Sequence, residues 1–259
     1  MLKKIIPIVV LLLTFSGLAS ANYFFDTGDH KWTNPSNWVY NSGLPDATIG
    51  ATFNGWNGSP EVCNIESGDN AVCSDLVSAN TNGFTTTLNV KGTGTLTATN
   101  VVIAQFDDAT TATINVMDNA VVNVAATLVV GQGGTGTLHM TGGTVTANDI
   151  YVTMWFEGAV GHIQLDGGVL VAKNNFWMGI DGQVSSADIS GGTLKVPYAL
   201  GSTIEAYIAA GKITANGLNG LSNFVEATDG ATYWTFQAVP EPITMSLLGL
   251  GGLFLRRKK

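Results

Sequence analysis

Four acidic residues, Asp107, Asp108, Glu157 and Asp181, are the first candidates for chemistry. Carboxylates gathered on one loop edge hold Ca²⁺ through hard oxygen ligands, or divide acid and base roles in glycosidic cleavage. Solvated loop acids are the commoner case, and no catalytic signature accompanies these four. The chain has no GxSxG, HExxH, P-loop or CxxC motif, and its two cysteines cannot build a structural zinc site. Of the three histidines, His30, His139 and His162, the last two occupy ordinary polar positions of a repeat described below. The expectation is a protein that is not an enzyme, with no catalytic residue, no metal and no cofactor. A polysaccharide lyase or hydrolase is the enzymatic alternative.

Aromatic and hydroxyl side chains offer binding instead. Exposed indoles stack on sugar rings, which makes Trp155 and Trp177 the candidate glycan-stacking residues; packing on an outer face is their alternative role. Trp32 and Trp38, flanking Thr33-Asn34-Pro35-Ser36-Asn37, are expected to pack over an open end of the fold. Thr87, Thr113 and Thr137 recur at one repeat position and invite an ice-binding reading, but the column stops at His162. Cys63 and Cys73 are a possible disulfide if the chain reaches an oxidising compartment. Closing that short loop is worth about 2–3 kcal/mol in the chain-entropy model. Two small buried free thiols are the alternative.

These side chains are carried by a repeat. The stretches beginning at Leu88, Ile114, Leu138, Ile163 and Ala187 share one pattern, with steps of 26, 24, 25 and 24 residues, and a degenerate copy begins at Cys63. Each copy holds three short alternating segments, as in Leu138/Met140, Val145/Ala147 and Ile150/Val152. Period-two alternation over so few residues marks half-buried strands. Gly142-Gly143, Gly167-Gly168 and Gly191-Gly192 supply sharp corners between the first two segments, and Asn119 is expected to take the left-handed position where the glycine pair is missing. Three strands in about 25 residues describe one coil of a parallel β-helix, a unit that buries its apolar face only by stacking.

The register follows from side-chain chemistry. Residues just before the anchors are Thr87, Thr113, Thr137, His162 and Ser186; those just after are Asn89, Asn115, His139, Gln164 and Asp188. Both columns are wholly polar, so both must point outward, because a slip of one residue would turn every side chain to the other face.

The expected fold class is therefore all-β: a short right-handed parallel β-helix of about six coils, with an N-terminal cap and a small helix/strand C-terminal cap. Residues 1–21 read as a signal peptide, 22–61 as the N-terminal cap, 62–201 as the repeats, 202–239 as the C-terminal cap and 240–259 as a separate tail. In the C-terminal cap, Ser202-Thr203-Ile204-Glu205 has capping-box spacing, Ile204 and Ile208 share a face, and Gly211 ends the helix. At the N-terminus, Lys3 and Lys4 precede an apolar run, and Ala19-Ser20-Ala21 is a small-residue cleavage site leaving Asn22 first. Between Asn22 and Val239 stand five lysines, no arginine and eighteen acids, a formal charge of −13. Such a surface argues against nucleic acid, whose phosphates are bound by Lys and Arg. Polysaccharide or divalent cations are the compatible company.

The last residues run Val239-Pro240-Glu241-Pro242, then apolar from Ile243 to Leu255, then Arg256-Arg257-Lys258-Lys259. Three features in this order closely resemble the PEP-CTERM sorting signal, over about 21 residues. The resemblance implies cleavage near Pro-Glu-Pro by an exosortase, a membrane-embedded cysteine protease of bacteria that make exopolysaccharide, followed by transfer to the cell surface or matrix. Thirteen helical residues reach about 20 Å, short of a hydrocarbon core near 30 Å, which suits transient anchoring in the inner membrane. The repeats resemble, more loosely, those of PEP-CTERM proteins and autotransporter passengers. The expected function is a secreted, exosortase-sorted surface or matrix protein with a structural or adhesive role, associated with exopolysaccharide.

Overall fold

The computed structural model describes residues 21–40, 43–54, 60–79, 83–105, 109–154, 156–179, 183–228 and 232–239. They form an all-β solenoid whose coils present three strand-bearing faces. On the first face, Glu61–Ile65, Thr85–Val90, Thr111–Val116, the opening segments of Thr135–Val152 and Val160–Met178, Val184–Ile189 and Ile213–Ala215 stack in parallel. That is seven levels where six coils are expected. The additional level is Ile213–Ala215, which returns to the first face after the helix Gly201–Ala209 has left the coil.

The anchors line up as the polar columns require. Cys63, Leu88, Ile114, Leu138, Ile163, Ala187 and Ile213 pair position for position and are buried. A second inward line runs Ile65, Val90, Val116, Met140, Leu165, Ile189 and Ala215. The other faces add Leu96, Val122, Val145, Leu170 and Leu194, and Leu76, Val101, Leu128, Ile150 and Phe176. Each large aliphatic side chain so buried contributes roughly 1.5–3 kcal/mol of transfer free energy. The lines merge into one continuous core along the solenoid.

Corners repeat as faithfully as strands. Gly143 and Gly168 have φ of 69° and 76°, a left-handed conformation that glycine adopts without steric cost. In the copy lacking a glycine pair, the left-handed residue is Asp118 (φ 56°), one position before the expected Asn119. Asp118 is held there by its backbone carbonyl, which accepts from Gly143 N at 2.7 Å, and by its side-chain Oδ2, which accepts from Gly92 N at 2.9 Å. At the third corner Ala79, Ala104, Gly131 and Thr153 are all left-handed, with φ of 55–77°. Their amides donate to Phe53, Ser78, Ile103 and Val130 of the preceding level at 2.8–2.9 Å, so the ladder continues through the bend.

Both ends are closed. Phe24, Trp32, Trp38 and Phe53 pack edge-to-face and tilted, the two indole centroids 4.8 Å apart, and Trp38 Nε1 donates to the Trp32 carbonyl at 2.7 Å. Burial of Trp32 and Trp38 places them over the open end, as expected. At the other end Ile204 and Ile208 are buried and Gly211 (φ 72°) stops the helix. The capping box at Ser202–Glu205 does not form: the helix starts at Gly201 after a 3₁₀ turn, and its N-cap, Leu200, makes no side-chain cap bond. The preceding turn already delivers helical backbone, so no side chain is needed to start it. The hairpin of Phe224–Thr228 and Tyr233–Ala238 then adds antiparallel to the last strand edge of the second face, with Phe236 in register beside Leu194.

Candidate functional site

Of the two arrangements open for the cysteines, the structure has the free thiols: Cys63 and Cys73 are buried on successive strands, each filling an inward position, stacked on Leu88 and Ala98. Burial pushes both thiols well above the usual range. Small apolar volume explains them without a bond.

Trp155 lies outside the described residues. Trp177 is 48% exposed, points outward from the third face, and sits in register with the half-buried Tyr151 of the coil before. Two residues earlier on those strands, Asp149 faces Asn175. Asp149 Oδ1 accepts from Asn175 Nδ2 at 2.7 Å and from Asn174 Nδ2 at 2.8 Å. Burial, with the nearby Asp149 charge, pushes the Tyr151 phenol up and keeps it protonated as a donor. An exposed indole thus stands about 7 Å along the strand from a carboxylate–amide group. Nothing in the spacing of Asn174 and Asn175 marks them; their partner Asp149 is a full coil away.

The first face presents a different surface. Thr87, Thr113 and Thr137 pair in register, and so do Thr85, Thr111 and Thr135, a second rank visible only once the strands are extended by two residues. Among the described residues none of these six hydroxyls bonds within the chain. Beside them Asn89 Nδ2 donates to Asn64 Oδ1 at 2.9 Å and Asn115 Nδ2 to Asn89 Oδ1 at 2.8 Å. Further along, Asp166 accepts from Ser190 Oγ at 2.6 Å and from Gln164 Nε2 at 3.0 Å, and lies 2.9 Å from His139 Nε2. Partial burial raises the Asp166 carboxyl, but the Ser190, His139 and Gln164 contacts outweigh it and hold it below the ordinary value. His162 Nδ1 meets Ser186 Oγ at 2.7 Å, so the two outward histidines have separate partners. His30 pairs with Asp26.

Glu157 is exposed; Asp107, Asp108 and Asp181 lie outside the described residues. Among the described residues no group of three or more His, Cys, Asp and Glu could hold a metal ion. Ala21 and Asn22 open the first strand, Ala21–Phe24, paired with Gly50 and Ala51, while Ala19 lies outside the described residues. Val239 is the last described residue, its amide donating to Asn223 O at 2.8 Å. Pro240, Glu241, Pro242, Arg256, Arg257, Lys258 and Lys259 lie beyond it, outside the described residues. Among the described residues no helix is long and apolar enough to cross a membrane.

The described residues of the capped β-solenoid reach Val239, immediately before Pro240-Glu241-Pro242 in the sequence. Residues 238–259 match the PEP-CTERM protein-sorting motif, and the chain carries that motif. The motif implies export, C-terminal membrane anchoring, exosortase processing and release to the surface. No curated protein and no solved structure matches the chain.

Proposed function

We propose that the processed chain is a structural or adhesive component of the cell surface or extracellular matrix that binds exopolysaccharide along its third face. It enters export by a signal peptide removed after Ala21 and is no enzyme. The observation that carries the binding role is Trp177: a large indole left half in water, in register with Tyr151 and beside the Asp149–Asn174–Asn175 group. Aromatic faces supply the apolar side of a pyranose ring with its contact, and amides and carboxylates take the hydroxyls. Co-sedimentation of the mature protein with polysaccharide isolated from the producing cells tests this. Retention in the pellet is expected, and complete recovery in the supernatant contradicts it.

A second reading rests on the two threonine ranks of the first face. Six hydroxyls on a mesh of about 4.8 by 7 Å could template ordered water. Ice-recrystallisation assays decide it: inhibition that disappears in Thr113→Asp supports this reading, and unimpeded recrystallisation with the unaltered protein removes it.

A further inference from the structure

The C-terminal cap carries an apolar patch at the point where the chain leaves it. Leu218 and Leu221 are 58% and 41% exposed, Val225 48% and Val239 38%. Backbone contacts join them. Leu218 exchanges hydrogen bonds with Ala215 at 2.9 and 3.0 Å, and the neighbouring Asn216 Nδ2 donates to Val239 O at 3.4 Å. Leu221 opens the turn Leu221–Asn223, whose last carbonyl accepts from Val239 N, and Val225 pairs with Gln237 on the adjoining strand. No residue from Ile213 to Val225 is charged. Exposed apolar surface of this kind marks a contact surface; the carboxylates beside it are Asp188, which accepts from Thr214 and Gly217, and Glu226, which follows Val225.

The length of chain beyond Val239 identifies what it contacts. Only Pro240, Glu241 and Pro242 separate Val239 from Ile243, where the apolar run begins. Four residue steps span about 14 Å at full extension. A headgroup layer is itself about 5–8 Å deep on each side of the hydrocarbon. Once the run from Ile243 to Leu255 is in the membrane, the cap cannot stand clear of the lipid surface by more than several ångströms.

We propose that Leu218, Leu221, Val225 and Val239 seat the C-terminal cap on the bilayer surface while the precursor is anchored. Leucine and valine then partition into the boundary between headgroups and acyl chains, as on the apolar face of an interfacial helix. The contact holds Pro240-Glu241-Pro242 at the depth where a membrane-embedded protease reaches it, and cleavage frees the patch. This inference rests on the tail being membrane-anchored, so its test follows both.

The full-length chain in phosphatidylethanolamine–phosphatidylglycerol vesicles is labelled with an environment-sensitive dye at Leu218→Cys, Leu221→Cys, Leu250→Cys or Asn123→Cys. Asn123 is an exposed position on the second face, and the native thiols are buried. Quenching by nitroxide lipids is expected at Leu250 and, several-fold above Asn123, at Leu218 and Leu221. Quenching at Leu250, with Leu218 and Leu221 equal to Asn123, overturns the seated cap and spares the anchor. Absence of quenching at Leu250 overturns both.

Discussion

Gly168 lies so close to Gly142 of the preceding coil that a β-carbon on it would stand 2.5 Å from the Gly142 carbonyl carbon and 2.5 Å from the Gly143 oxygen. Its φ is also left-handed, at 76°. Gly168→Ala combines both penalties and is expected to cost about 2–4 kcal/mol in chemical denaturation. Gly217 has φ 72° with nothing within 4 Å of a β-carbon, so Gly217→Ala isolates the conformational part, about 1–2 kcal/mol. Equal losses for the two variants would show that close stacking of the coils is not felt.

Much of this fold was legible because strands leave a period of two. The anchors Leu88, Ile114, Leu138, Ile163 and Ala187, with polar residues on either side, allow only one register, and the structure has that register. Corners were legible only where glycine marks them. Ala79, Ala104 and Thr153 adopt left-handed backbone with no local preference for it, held by ladder bonds to the coil below. Such long-range compensation leaves no trace in local spacing. Ile213–Ala215 keeps the step, 26 residues after Ala187, but escaped because its strand has only three residues and the helix Gly201–Ala209 stands before it in place of the alternating segments. In the candidate site, Trp177 was legible as a large apolar side chain at an outward position, whereas Asp149, Asn174 and Asn175 acquire meaning only when the coils stack.

Trp177 is half exposed and lies outside the core, so its removal should leave the fold intact at a cost of about 1–2 kcal/mol. Trp177→Ala is nevertheless expected to weaken binding to isolated exopolysaccharide by about 1–2 kcal/mol, a loss of 5- to 30-fold in affinity. Affinity electrophoresis compares the variant with the unaltered protein. Unchanged migration of Trp177→Ala would move the binding surface elsewhere.

Asp166 ties three coils together through His139, Gln164 and Ser190. Its folded carboxyl titrates below the ordinary 3.8, so the stability it adds is present above that value and is lost as pH falls through the lower folded value. The difference in Tm between the unaltered protein and Asp166→Asn should shrink below about pH 4. A difference that persists undiminished at pH 2 would separate this residue's contribution from its charge.

Cys63 and Cys73 give a direct test of the free-thiol arrangement. The thiolate is the reactive species, and burial keeps both groups protonated. A thiol-specific chromogenic reagent should find no reactive thiol in the native protein and two after unfolding in guanidinium without reductant. Finding none after unfolding would mean that the pair is bonded.

The central claim is that the finished protein is the solenoid without its tail. Val239, the last described residue, is bonded to the cap, and the sorting motif spans residues 238–259. Intact-mass analysis of the protein recovered from the cell surface tests this most directly. The account predicts a chain lacking Arg256-Arg257-Lys258-Lys259 and ending near Pro240-Glu241-Pro242. Surface protein that still carries those four basic residues would contradict it.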